Sequence, residues 1–145
     1  MTPVLTQRLG SQVSLPHQDT LSLTADERTK SRHRFANGAL DLYVQLPRGT
    51  VLRHGDLLST DSGDYVVRVV ARPEPVITVV GSALALMRAA YHLGNRHVAV
   101  EVTETRLRLA PDPVLRSLLL NLGLRVTDSV EPFQPETGAY RHVHH

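Results

Sequence analysis

Apolar and polar positions change rhythm midway along this chain. Up to about residue 72 the apolar residues come in short alternating runs broken by turn-forming residues. Val4, Leu5, Leu9, Val13 and Leu15 suffice for one or two short strands in residues 1–16, and Leu21 and Leu23 flank Ser22 in another alternating piece. Residues 24–28 read as a turn. Asn37-Gly38 is a strong hairpin signal, and Leu40, Leu42 and Val44 alternate after it. Pro47-Arg48-Gly49 ends that strand, and Val51-Leu52 predicts another short one before the His54-Gly55-Asp56 turn. Asp61-Ser62-Gly63-Asp64 predicts a second hairpin, feeding a strand over residues 65–70. The expectation for this half is an all-β domain.

Arg72-Pro73-Glu74-Pro75 marks the boundary, since two prolines around one residue make a short semi-rigid hinge. Beyond it the helical period appears twice. Residues 76–80 read as a strand. Leu84, Met87 and Tyr91 then recur at helical spacing, predicting an amphipathic helix over residues 82–93 with Ser82 as N-cap. Gly94 stands where a left-handed closing residue is wanted, with Asn95 after it as a turn residue. Val98, Val100 and Val102 alternate with polar or small neighbours, the period of a half-buried strand. By that period His97 lies opposite the valines and points away from the core. Residues 106–109 predict a further strand. Val114 or Leu115, with Leu118, Leu119 and Leu122, predicts a helix over residues 112–122 closed by Gly123, and Leu124, Val126 and Val130 mark a last strand. The expected class is therefore α+β: an all-β domain over residues 1–73, then a ferredoxin-like βαββαβ domain over residues 74–132. In that fold both helices cover one sheet face, and the other face is expected to stay open, with His97 on it. Residues 133–145 lack periodicity and are expected to be a flexible, histidine-bearing tail.

Composition narrows the picture. At 145 residues the chain suits one ordinary domain or two small ones, and with 41% hydrophobic but 4% aromatic residues its cores must be aliphatic. There is no apolar run of membrane-spanning length, and the N-terminus has no signal-peptide pattern. Cysteine is absent, which excludes disulfides and thiolate metal sites and makes a cytoplasmic location the expectation. The formal charge is only +2, and its basic residues, arginines apart from Lys30, are scattered among acids. A nucleic-acid binder concentrates them on one face, and Arg32-His33-Arg34 is the nearest approach to a cluster.

The candidate chemistry lies in histidines. His17, His33 and His54 are separated by strands and loops and read as surface residues. His92 falls near a helix C-terminus, where it would stabilise the end carbonyls. Asp56, Asp61 and Asp64 lack calcium-loop spacing and read as turn residues. The tail ends Arg141-His142-Val143-His144-His145, a ligand-rich stretch. Imidazole suits nickel, copper and zinc alike, so a site made of histidines does not by itself say which of them it holds. One imidazole holds no metal usefully. A two-fold contact near the open face would bring two copies of His97 together.

Tyr91-His92-Leu93-Gly94-Asn95-Arg96-His97 resembles the signature of the UreE family of nickel-binding urease accessory proteins. Leu46-Pro47-Arg48-Gly49, Gly55-Asp56-Leu57-Leu58, residues 71–74 and residues 133–140, ending Glu136-Thr137-Gly138-Ala139-Tyr140, follow in that family's order. The resemblance implies a non-enzymatic homodimer that carries nickel, with zinc or copper also expected to bind in vitro. It implies delivery to the urease GTPase accessory protein (UreG) and the apo-urease maturation complex, with no nucleic-acid or membrane partner. It further implies an N-terminal domain that engages peptides or partner proteins. His97 takes the role of the family's interfacial histidine, and His142, His144 and His145 that of its tail ligands. Some relatives carry a His-Asp-His element before the second helix of this domain. Here the stretch reads Ala110-Pro111-Asp112-Pro113, which predicts about one interfacial metal per dimer. Two other readings stand beside this one. An RNA-binding module would need aromatics on the open face, and a zinc hydrolase would need a His-Glu-x-x-His pattern, which is absent.

Overall fold

The computed structural model describes residues 2–12 and 14–137. The chain divides into two compact units, Met1–Arg72 and Pro73–His145. The first is all-β. Its strands are β1 (Val4–Leu5), β2 (Gln7–Gly10), β3 (Asp19–Leu23), β4 (Arg32–Asn37), β5 (Leu40–Gln45), β6 (Leu57–Ser59) and β7 (Val66–Ala71). They form two sheets, ordered β1-β5-β4 and β2-β6-β7-β3. The β4–β5 hairpin turns at Gly38, whose φ of 59° matches the Asn-Gly signal. Alternate positions of these strands, among them Leu5, Leu21, Leu23, Leu42, Val44, Val67 and Val69, close one aliphatic core.

Two local expectations change here. Val51-Leu52 is not a strand. Leu52 is buried all the same, and its N–H goes to the Arg28 carbonyl at 2.8 Å instead of to a ladder. The turn at residues 24–28 runs into a 3-10 turn (Glu27–Thr29) that buries Arg28, whose guanidinium donates to the Leu23 carbonyl at 2.8 Å. The aspartates are turn residues. Asp64 accepts from Thr60 and Ser62, both at 2.6 Å, and buried Asp56 pairs with Arg8 at 3.0 Å.

The second unit runs β8 (Glu74–Val80), α1 (Ala83–Asn95), β9 (Glu101–Val102), β10 (Leu107–Leu109), α2 (Pro113–Asn121) and β11 (Arg125–Glu131). The sheet order β11-β8-β10-β9, antiparallel throughout, is the ferredoxin-like arrangement, so the α+β expectation holds. Pro75 already lies within β8, opposite Val130 of β11, where the β8–β10 ladder has not yet begun and its missing N–H is tolerated. Ile77, Val79, Leu107 and Leu109 meet Leu86, Ala89 and Leu93 of α1 and Leu115 and Leu119 of α2 in one core. Both helices therefore cover the same sheet face.

The helix starts follow the sequence closely. The Ser82 hydroxyl accepts from the Ala85 N–H at 3.1 Å. Asp112 accepts from the N–H groups of Val114 and Leu115 at 2.9 and 3.0 Å, with Pro113 opening the helix. Asp112 is thus occupied as a cap.

The buried face of α1 is not the stripe that revealed it. Leu86, Ala89 and Leu93 point inward, while Leu84, Met87 and Tyr91 are 53%, 63% and 67% exposed. Both sets recur at helical spacing, and only packing chooses between them.

Candidate metal centre

His97 stands exposed, but not on a strand. Helix α1 continues through Gly94 to Asn95, and the next strand begins only at Glu101. The chain closes the helix at His97 itself, which has φ 56° and is the non-glycine residue with positive φ among those described. The His97 N–H donates to the Gly94 carbonyl at 3.0 Å, and the Val98 N–H to the Leu93 carbonyl at 3.1 Å. These two bonds are the Schellman closure, with His97 in the left-handed position normally given to glycine. Val98 packs against the core that holds Leu93, the apolar contact that accompanies this motif.

The expected closing residue, Gly94, therefore sits inside the helix, two residues before the cap. A glycine there is less favourable than alanine by about 1 kcal/mol. A Cβ built on it would meet nothing within 4 Å. Crowding within the chain thus gives no reason for the glycine. Leu84, Met87, Tyr91 and Gly94 repeat at intervals of three and four residues, so they form one stripe along α1 that runs toward His97. The stripe is apolar, exposed and free of side-chain bulk near its end. His92 is half-buried beside it, its ring meeting Tyr91 edge-on with centroids 5.4 Å apart. Sequence periodicity found this stripe but carries no sign of whether it faces the core or solvent.

Among the described residues no group of three or more His, Asp or Glu side chains could hold a metal ion. His142, His144 and His145 lie outside the described residues. What one chain offers at this end is a single outward imidazole on a rigid turn, too little for a metal site by itself.

The sheet face opposite the helices is not bare, contrary to expectation. Val76, Thr78 and Val80 of β8 alternate onto it, and Val76 is fully buried. The Glu101 carboxylate accepts from Arg106 at 2.8 Å and lies 3.8 Å from Arg108, and Arg108 donates to Thr78 at 3.1 Å. The other oxygen of Glu101 accepts the Gln134 N–H at 2.7 Å, the Glu136 N–H donates to the Val100 carbonyl at 2.8 Å, and Phe133 is buried. Sequence reasoning did not single out Glu101. One acid in an alternating strand carries no sign that it meets a segment 33 residues away.

Comparison with known proteins agrees along the whole chain. Residues 5–72 match the family model for the UreE urease accessory protein N-terminal domain, and residues 74–145 match that for the C-terminal domain. A urease accessory protein UreE from Nostoc sp. is 51% identical over 141 residues, covering 92% of this chain and 96% of the relative. One from Nostoc punctiforme is 52% identical over 128 residues, covering 87% and 86%. One from Thermosynechococcus vestitus is 46% identical over 142 residues, covering 97% and 98%.

Proposed function

The chain belongs to the UreE urease accessory protein family, an accessory protein and not an enzyme, and from that premise we propose that it carries nickel to the urease metallocentre. The observation that carries this reading is His97 in a backbone conformation suited to glycine. Holding a side chain there costs on the order of 1 kcal/mol, and such strain is retained where the side chain has work to do. Its neighbours supply the second half of the site. Two α1 helices related by a two-fold axis bury Leu84, Met87 and Tyr91 against each other, and Gly94 lets their backbones approach closely. The two His97 imidazoles then share one nickel ion, and His142, His144 and His145 of the tail complete its coordination.

Such a site favours release as much as capture. Its ligands are neutral imidazoles, near solvent, with no thiolate in the chain. Zinc and copper fit the same donors, copper more tightly, so selectivity belongs to metal supply and to the receiving partner. The recipients are the urease GTPase accessory protein and the apo-urease complex, reached in the cytoplasm. No helix among the described residues is long and apolar enough to cross a membrane. With Asp112 occupied as a helix cap, the second helix adds no ligand, which supports about one interfacial ion per dimer. The nucleic-acid reading gains no observation in its favour. On the sheet face opposite the helices Glu101 neutralises arginines, and Phe35 and Phe133 are both buried.

Titration of the dimer with nickel, with metal content and sedimentation measured in parallel, tests the reading. His97→Ala is expected to weaken binding at least about a hundredfold, because even the partners that only orient a ligand are worth 10–100-fold. Binding should also weaken as pH falls through about 6.5, where free imidazoles gain a proton. Unaltered nickel stoichiometry in His97→Ala, or three or more tight sites in the native dimer, would contradict it.

A further inference from the structure

Strand β11 is an edge of the second unit's sheet, with β8 on one side and no strand on the other among the described residues. Its ladder with β8 runs from Arg125 to Glu131 without a register shift, and no proline interrupts it. Sheet edges are commonly blunted by bulges, prolines, short strands or charges. Here the charges alone are present, and their order suits attraction across a two-fold axis.

Antiparallel pairing of two copies of β11 about a two-fold sets one residue opposite its own copy. With Asp128 on the axis, Arg125 meets Glu131, Val126 meets Val130 and Thr127 meets Ser129. Moving the axis to Thr127 sets Val126 against Asp128, and moving it to Ser129 sets Asp128 against Val130. The central register alone matches charge with opposite charge, apolar with apolar and hydroxyl with hydroxyl, the pairs that stabilise a sheet. It brings together one like pair, the two Asp128 carboxylates, and each of these is held by its own Arg116 at 2.6 Å.

The same register answers what β11 leaves unmatched within one chain. Glu131 stands opposite Glu74 in the ladder, a repulsive arrangement. No ion pair among the described residues engages Glu131 or Arg125. Val130 is 64% exposed. The Ser129 hydroxyl is buried and has no hydrogen-bond partner among the described residues. We infer that β11 is a self-pairing edge, through which a second copy of this chain joins the sheet and doubles its four strands. The contact is isologous, so one pairing occupies both edges and goes no further. It is separate from the α1 contact and does not depend on nickel.

The chain contains no cysteine, so introduced thiols report the register without background. Under mild oxidation of the full-length chain, Asp128→Cys is expected to give a disulfide-linked dimer, because facing residues of an antiparallel pair have Cα atoms about 4.5–5.5 Å apart. Thr127→Cys or Ser129→Cys alone should not link, since like positions then lie on the diagonal, about 7–8 Å apart. Mixed together, these two variants should link to each other. Adding Arg125→Glu to Asp128→Cys should slow linkage about tenfold, as two attractive pairs become repulsive. Adding Glu131→Arg as well should restore the rate, which a mere loss of fold would not allow. Tyr91→Asp, in the α1 stripe, should leave linkage unchanged. Equally fast linkage of Thr127→Cys alone or Ser129→Cys alone would mean random encounter and overturn the inference. So would failure of both Asp128→Cys and the mixed pair to link, a charge swap that does not restore the rate, or loss of linkage in Tyr91→Asp.

Discussion

Helices α1 and α2 rest on one face of one sheet and stop in the same way. In α2 the Gly123 N–H donates to the Leu120 carbonyl at 3.0 Å and the Leu124 N–H to the Leu119 carbonyl at 3.2 Å. In α1 the equivalent bonds run from His97 to Gly94 and from Val98 to Leu93. The left-handed position is Gly123 at φ 85° in one and His97 at φ 56° in the other. Glycine adopts that geometry freely and histidine does so against its preference. The outer faces differ in the same sense. Helix α1 carries an exposed apolar stripe ending at a glycine without neighbours, whereas the exposed apolar residues of α2, Val114 and Leu120, are not one helical step apart. Helix α2 shows no such stripe among its described residues. Helix α1 serves the fold with its inner face and leaves its outer face and its end available for another molecule.

The largest effects should show the two helices as equals. Leu93→Ala and Leu119→Ala each remove a fully buried side chain at the same point of the same motif. Each is expected to lower stability by 2–5 kcal/mol in urea unfolding. A mild Leu93→Ala beside a severe Leu119→Ala would break the equivalence.

A middle-sized effect should separate them. In the proposed dimer Tyr91→Asp would place two charges in the α1 contact, and it should raise the dissociation constant about a hundredfold by sedimentation, a tenfold loss per copy. Leu120→Asp, on the outer side of α2, should leave dimerisation unchanged. If Leu120→Asp dissociates the dimer and Tyr91→Asp does not, the interface has been assigned to the wrong helix.

The smallest effects are the most pointed. Gly123→Ala should destabilise the monomer fold by about 1 kcal/mol, since alanine resists positive φ. His97→Gly should stabilise it by up to about 1 kcal/mol while removing nickel binding. Thermal unfolding of the apo-protein reads both. Destabilisation by His97→Gly would show that the imidazole supports the turn and is not held there for a ligand.

Signals confined to a few neighbouring residues were legible. Ser82 and Asp112 cap, Asn37-Gly38 turns and Gly123 closes, because each depends on a side chain or a φ angle and the next three amides. Gly94 was misread for the same local reason. A Gly-Asn pair looks like a helix end, but the helix runs on to Asn95, and the turn at His97 then brings Val98 onto the core that holds Leu93. Leu52 shows a related error, since its burial was legible and its lack of ladder partners was not.

The helix starts, the close at Gly123 and the aliphatic cores were determined by the sequence alone, because propensity and period act over one or two turns of chain; His97 is exposed as expected, but on the turn that closes α1 and not on a strand. Tertiary structure decided which apolar stripe of α1 is buried, where that helix stops and which acid receives the returning tail. Those choices compare contacts between segments far apart in the chain, and a period of 3.6 residues is the same whether its stripe faces a sheet or a second molecule.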